Sequence, residues 1–443
     1  MKVTPSEQAV DRQRPQTAPS FAEAFRFWLR LGFISFGGPS GQIAMMHAEL
    51  VEKKKWVGNE QFLHALNFCM LLPGPEAQQL AIYIGWLLHK TRGGIVAGAL
   101  FVIPSIFILW ALSYVYVTFG HVAWIAAVFY GLKPAVLAIV AAAVIRIGSK
   151  ALKNFVMWTI AAAAFVAIYF FHVPFPVIVV TAAVIGLLGG KILPQYFRAE
   201  NAQAVDVDLA SKAADFAQPS LRRALKISVI WIVVWALPLT LAGLFLGSQH
   251  TVFREGIFFS KAAVVTFGGA YAVLPYVSQQ AVEHYHWLAA PQMLDGLGLA
   301  ETTPGPLIMV LQFVGFLGAW NHPGNLPPLV SATLGALVTT WTTFVPCFLW
   351  VFLGAPYIEK LRGQKQLTAA LSTVTAAVVG VILNLAVWFG VHVIFPPTGN
   401  VDWFALVVCA VVFFGMLRWK WNIVPVVLGS GLLGLIYTLV GFR

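Results

Sequence analysis

The stretch FGGPSGQIAMMHAELVEKKKWVGNEQFLHALNFCMLLPGP, residues 36–75, returns as FGGAYAVLPYVSQQAVEHYHWLAAPQMLDGLGLAETTPGP at residues 267–306, displaced by 231 positions without a gap. The two copies agree at 12 of 40 positions, where unrelated stretches agree at roughly two or three from average residue usage. Agreement falls on Phe36-Gly37-Gly38 with Phe267-Gly268-Gly269, Val51-Glu52 with Val282-Glu283, Trp56 with Trp287, and Pro73-Gly74-Pro75 with Pro304-Gly305-Pro306. Most of these are residues that interrupt helices. In an apolar chain, interrupted segments in matching places of two halves point to a transporter's binding site.

The chain is apolar enough for that argument. Hydrophobic residues make up 59% of its 443 positions and charged residues 10%, more apolar surface than a soluble core hides. This is the composition of an all-α polytopic membrane protein. Residues 1–20 are polar, carry Arg12 and Arg14 and lack an apolar core, so they read as a disordered tail rather than a signal peptide or a first span. Cys69, Cys347 and Cys409 lie far apart in apolar stretches without CxxC spacing, which argues for buried small residues over disulfides or a thiolate metal site. The net charge of +11 comes mostly from loops between apolar runs, so it reports orientation rather than nucleic-acid binding.

Apolar runs long enough to cross a bilayer cover about 93–119, 122–147, 152–171, 174–193 and 225–247, then 329–353, 368–394, 402–417 and 422–442. Lys and Arg gather at 90–92, 146–153, 191–226, 360–365 and 418–420, whereas 120–121, 172–173, 319–328 and 395–401 have none. The positive-inside rule makes the first group cytoplasmic. The spans then alternate without contradiction, with the amino terminus inside and the carboxyl terminus outside. Five units follow: the cytoplasmic tail 1–20, a first repeat 21–193, a cytoplasmic linker 194–224, an unpaired span 225–250 and a second repeat 251–443. The unpaired span inverts the second repeat. The loops agree, since basic 90–92 matches neutral 319–328 and neutral 120–121 matches basic 360–365.

If the duplicated segments crossed the membrane, Lys53-Lys54-Lys55 would fall outside. Re-entrant helical hairpins remove the conflict. They are broken at the FGG and PGP motifs: 21–36 enters and turns at Phe36-Gly37-Gly38-Pro39, and 60–89 does the same about Pro73-Gly74-Pro75. Half helices of about 12–16 residues rise roughly 18–24 Å, reaching the middle of a hydrocarbon core about 30 Å thick. Broken backbone at that depth belongs where protein or a polar cavity surrounds it, so the four tips are expected to meet.

Each returning half helix presents free N–H groups and a positive dipole end, which favour anions. Glycine permits close backbone approach and proline suits a first helical turn. The candidate binding positions are Gly37, Gly38, Pro39, Gly74, Pro75, Gly268, Gly269, Gly305 and Pro306, and packing kinks are the plainer alternative. Arg30 and Lys261 join them, because the 231 offset maps one basic residue onto the other and an intramembrane cation expects an anionic partner. Snorkelling to an interface is the competing account. Arg26 is a weaker candidate, and Lys133, Arg146 and Arg254 read as interfacial. Glu76 follows Pro75 directly and maps onto Leu307. A carboxyl at membrane depth suggests a proton carrier alternating with the anion, or else a helix cap. Glu301 is a second proton-coupling candidate.

These motifs, FGGPSGQIAMMHAEL with LPGPEAQQLAIYIGW and the diverged TFGGAYAVLPYV with TTPGPLIMVLQFVG, resemble the chromate ion transporter family in its long-chain form with two homologous halves. The resemblance spans essentially the whole chain after the tail. It implies efflux of chromate across a prokaryotic inner (plasma) membrane, giving resistance, with sulfate as the structural mimic. Ala270 replaces the proline of the first GGP and Leu307 replaces Glu76, so the halves are not expected to act equally.

The leading expectation is therefore a secondary carrier, an antiporter or potential-driven exporter of an oxyanion dianion. A sulfate or other oxyanion carrier is the runner-up. An intramembrane lipid-phosphate enzyme, suggested by the scattered His47, His64, His284, Glu76 and Asp295, lacks metal-ligand or nucleophile spacing. No enzyme activity, cofactor, metal or nucleic acid is expected, and no P-loop GxxxxGK[ST] is present. The partners are an oxyanion and the lipid bilayer; a homodimer is allowed but not specified.

Overall fold

The computed structural model describes residues 19–36, 38–197, 220–357, 365–396 and 399–441. Most of the expected tail, the centre of the expected linker, Gly37 and the final residues lie outside them. The described chain is helical. Helices α1 (Phe21–Ile34), α2 (Gly38–His47), α3 (Asn59–Cys69), α4 (Glu76–Phe119), α5 (Ala123–Ala151), α6 (Phe155–Phe171), α7 (Phe175–Ile192) and the single turn α8 (Pro194–Phe197) form the first half. Helix α9 (Leu221–Leu246) follows. Then come α10 (Thr251–Val265), α11 (Ala270–Gln279), α12 (Ala290–Thr302), α13 (Val310–Asn321), α14 (Pro328–Gly354), α15 (Lys365–Ile394), α16 (Trp403–Arg418) and α17 (Ile423–Leu439).

Local chemistry explains the breaks. Ser20 caps α1 by accepting from the Glu23 amide, and Ser35 ends it by donating to the Leu31 carbonyl at 2.5 Å. Thr266 ends α10 in the same way through Ala262 at 2.7 Å. Such back-bonds take up a carbonyl that the next turn would otherwise leave open. Beyond them the backbone turns at Gly38, Gly268 and Gly269, with φ of 71°, 82° and 89°. Later it turns at Gly74 and Gly305, with φ of 121° and 106°. These are conformations that side-chain-bearing residues resist. α4 itself is two antiparallel helices, α4a (76–88) and α4b (91–119), joined at His89 and Lys90, whose dihedrals leave the helical range. Gly85 and Gly93 sit face to face across this turn, each leaving no room for a Cβ on the other.

The order of the first half recurs in the second: α1 to α3 correspond to α10 to α12, α4a to α13, α4b to α14, and α5 to α7 correspond to α15 to α17. Only α9, among the described helices of more than one turn, has no counterpart. Six helices, α4, α5, α7, α9, α14 and α15, are long and apolar enough to cross a membrane. Three of the nine expected spans, in α6, α16 and α17, are only 17, 16 and 17 residues long.

Two packing groups result. α1, α4, α9, α10, α13 and α14 pack together, and α5, α6, α7, α15, α16 and α17 form the other. Helix α12 joins them by packing on α5, α15 and α17, and α11 packs on α15. Their counterparts α2 and α3 lie against α4 instead. The difference is visible in burial: Ala270 to Ser278 of α11 are all buried, whereas α2 buries only Gly38, Gln42 and Met46.

A Cβ on Gly305 would strike the Ser105 hydroxyl, whereas the space around Gly247, at φ 89°, is open. Gly305→Ala is therefore expected to lower the apparent melting temperature more than Gly247→Ala. The latter carries only backbone strain of about 1–3 kcal/mol. Equal shifts in detergent-solubilised protein would contradict the packing described.

Candidate functional site

The four interruptions meet in pairs across the two halves. The Gly74 amide donates to the Thr266 carbonyl and the Gly305 amide to the Ser35 carbonyl, each at 2.7 Å. The second bond maps onto the first by the 231 offset. Side chains reinforce both. Gln42 Nε2 donates to the Gly305 carbonyl at 2.6 Å, and Ser105 Oγ donates to the Pro304 carbonyl at 2.6 Å. On the other pair, Gln79 Nε2 donates to the Pro73 carbonyl at 2.7 Å, and Cys347 Sγ would lie 2.9 Å from a Cβ on Gly74. Ser105 and Cys347 each follow a proline, Pro104 in α4b and Pro346 in α14, so they are counterparts. Each half thus closes on the other's PGP turn.

Beside this junction lies a cavity of about 840 Å³. Its inner wall carries Gly38, Pro39 and Ser40 at the start of α2, Gly268, Gly269, Ala270 and Tyr271 at the start of α11, and Glu76 at the start of α4a. Leu63, Leu66 and Met70 from the α3 segment and Leu371, Ser372 and Thr375 of α15 also line it. Arg146, Lys150 and Lys153, all exposed, join the lining, together with half-buried His47 and exposed Glu52. Three basic residues thus share the lining with two carboxyl groups, Glu52 and Glu76. Two helix N-termini from opposite halves point their free N–H groups into the same space, an arrangement suited to an anion. Tyr271 passes the wall inward: its hydroxyl donates to Glu301 Oε1 at 2.5 Å, and Glu301 is 3% exposed. Arg146 lies within electrostatic reach of both.

The sequence-derived candidates divide. Gly38, Pro39, Gly268, Gly269 and Glu76 line the cavity, and Glu301 stands one hydrogen bond behind it. Gly74, Pro75, Gly305 and Pro306 are buried, the two glycines in the interlock. Arg30 does not line the cavity: it is exposed, in a groove of about 170 Å³ beside Glu23, Arg26, Glu49 and Lys54. Lys261 is also exposed and outside the cavity. Gly37 lies outside the described residues.

Arg146, read from sequence as interfacial, is instead a cavity residue, and Tyr271 and Gln42 were not singled out as site residues. A signal for Arg146 existed, because Arg146, Lys150 and Lys153 follow helical spacing on one face. Among the described residues, no group of three His, Cys, Asp or Glu side chains is placed to hold a metal ion.

Among the described residues, an all-helical architecture with six helices long and apolar enough to cross a membrane, and a cavity where broken helices meet, defines a polytopic membrane protein. The family model for chromate transporters matches residues 22–187 and 254–435, so the chain belongs to the chromate transporter family. It is 30% identical over 429 residues to a chromate transport protein of Cupriavidus metallidurans, covering 95% of this chain and 94% of that one. It is also 30% identical over 424 residues to a chromate transport protein of Pseudomonas aeruginosa, covering 94% and 92%. A probable chromate transport protein of Synechococcus elongatus is 28% identical over 374 residues, covering 84% and 85%. No solved structure matches the chain.

The cavity makes Ser372 reachable and leaves Ser278, the α11 counterpart of cavity-lining His47, buried at 1% exposure. With half-buried Cys409 replaced by Ala, a hydrophilic maleimide is expected to modify Ser372→Cys at least roughly tenfold faster than Ser278→Cys, since reaching a buried thiol requires local opening. Similar rates would contradict the one-sided opening.

Proposed function

We propose that this protein is a secondary carrier that moves chromate, or a closely similar tetrahedral dianion, out of the cytoplasm. The observation that carries the reading is the cavity in which the N-termini of α2 and α11, one from each half, converge beside Arg146. Neither half alone supplies both ends. The names of the relatives favour chromate among oxyanions and transport over a lipid-phosphate enzyme.

Direction follows from charge. Lys150, Lys153 and Glu52 line the cavity, and the basic loops 146–153 and 90–92 read as cytoplasmic by the positive-inside rule. The cavity then faces the cytoplasm and the halves have inverted topology, with their broken helices reaching membrane depth. Exporting a dianion from a negative interior is electrically favourable. At about 2.3 kcal/mol per charge per 100 mV, two charges gain roughly 4–5 kcal/mol, equivalent to a gradient of over a thousandfold. Such export would confer resistance to chromate without a nucleotide-driven pump.

Arg146 and the two helix ends receive the anion in this reading. Glu76 shares their space, and an ionised carboxylate there competes with a dianion, so anion entry favours its protonated form. Glu301, linked to the cavity through Tyr271, offers a second place for the same proton. A carrier built this way releases or takes up a proton as the anion site fills and empties.

Chromate uptake into everted vesicles tests this. Arg146→Gln is expected to raise KM by roughly tenfold to a hundredfold, the effect of losing a hydrogen bond to a charged group. Potential-dependent uptake that is unaffected by Arg146→Gln would reject the site. Glu76→Gln is expected to flatten the dependence of uptake on pH while leaving chromate exchange intact; an unchanged pH profile would remove Glu76 from coupling. Excess sulfate that abolishes uptake would favour the broader oxyanion carrier.

A further inference from the structure

Outside the cavity lining, Lys133 of α5 reaches Asp295 of α12, with Nζ 3.7 Å from Oδ1. Tyr116 of α4b donates to Oδ2 at 2.9 Å. Asp295 is 3% exposed, and its Oδ1 accepts no hydrogen bond, the ammonium lying beyond hydrogen-bond distance. A buried carboxylate paired with a half-buried cation in a membrane protein calls for a functional account.

The fold supplies the register for one. Gly131 of α5 packs against Gly434 of α17, and Thr373 of α15 packs against Gly186 of α7. These two contacts are counterparts, and they place Gly131 on Thr373, two positions before Lys133 and Thr375. Lys133 is therefore the counterpart of Thr375, which lines the open cavity. Asp295 is likewise the counterpart of His64, on α3, a helix that lines that cavity with α15. In the open half α3 and α15 are apart with the cavity between them; in the closed half α12 and α5 are together, held by Lys133 and Asp295.

We infer that Lys133 is the anion-contacting cation of the opposite-facing conformation, and that Asp295 occupies it while that face is closed. The inference rests on the carrier reading above. When the two packing groups exchange their contacts, α12 leaves α5, a cavity opens on the other side, and Lys133 lines it where Thr375 lines the present one. Arg146 maps onto Trp388 under the same register, so the arriving anion leaves one cation on the cytoplasmic side and meets a different one outside. Asp295, displaced from Lys133, repels the departing dianion and recloses the site once it has gone.

The probe is Ser278→Cys, buried now and lining the opposite cavity in the exchanged state. Adding Asp295→Asn is expected to accelerate its labelling by an impermeant maleimide, applied from the outside, by at least roughly tenfold. Tyr116→Phe, which removes only one hydrogen bond, is expected to give a smaller acceleration and serves if Asp295→Asn fails to fold. Chromate is expected to slow labelling of Ser278→Cys/Asp295→Asn but not of the same protein carrying Lys133→Gln. Unaltered labelling in both releasing variants, or protection that persists without Lys133, overturns the inference. If Arg146→Gln still impairs uptake in those circumstances, the carrier reading stands and only the role of Lys133 falls.

Discussion

The two reciprocal backbone hydrogen bonds, Gly74 to Thr266 and Gly305 to Ser35, are the constraint on which this architecture depends. A helix broken within a membrane leaves N–H and C=O groups that lipid cannot satisfy. Here the last carbonyl of each entering helix accepts from the PGP turn of the other half, so the two halves complete each other. The need for the backbone to pass so closely explains glycine at both turns, with φ of 121° and 106° and no space for a methyl group. It also explains why the interruptions occur twice. A single copy would present the same unsatisfied groups with nothing to receive them.

Around that fixed junction the halves differ. Segments with common ancestry in sequence occupy two environments: α2 and α3 border an open cavity, while α11 and α12 are packed against α5, α15 and α17. The interlock is symmetric, with both bonds at 2.7 Å, so the asymmetry lies in how the hairpins meet the second packing group. Two arrangements of equivalent elements about a shared pivot are what alternating access requires. On the proposed carrier reading the site stays at the pivot, where the helix ends of both halves remain available as the packing changes sides.

Much of this was legible in the sequence because glycine and proline report backbone breaks directly. The interruptions near residues 35, 75, 266 and 306 follow from residues that can do little else. Charge was less legible. Arg30 and Lys261 share a repeat position, but repetition does not show which helix face turns inward, and both lie on exposed faces outside the cavity. Arg146 reads as snorkelling because it lies near a helix end; in the structure it is exposed, yet within the lining of the cavity. Asp295 has no counterpart carboxylate and no local motif, and its partner Lys133 lies in a distant helix. The burial of α11, where its counterpart α2 borders the cavity, follows from the conformation adopted, which a duplicated sequence does not specify.

The central claim is that α3 and α15 separate while α12 and α5 close, and that an oxyanion shifts the balance between this arrangement and its exchange. Spin labels at positions 63 on α3 and 371 on α15, both in the cavity lining, would measure it by pulsed dipolar spectroscopy in proteoliposomes. The account predicts two distance populations, the longer corresponding to the open cavity, whose ratio changes when chromate is added. A single distance, unaltered by chromate, would contradict it.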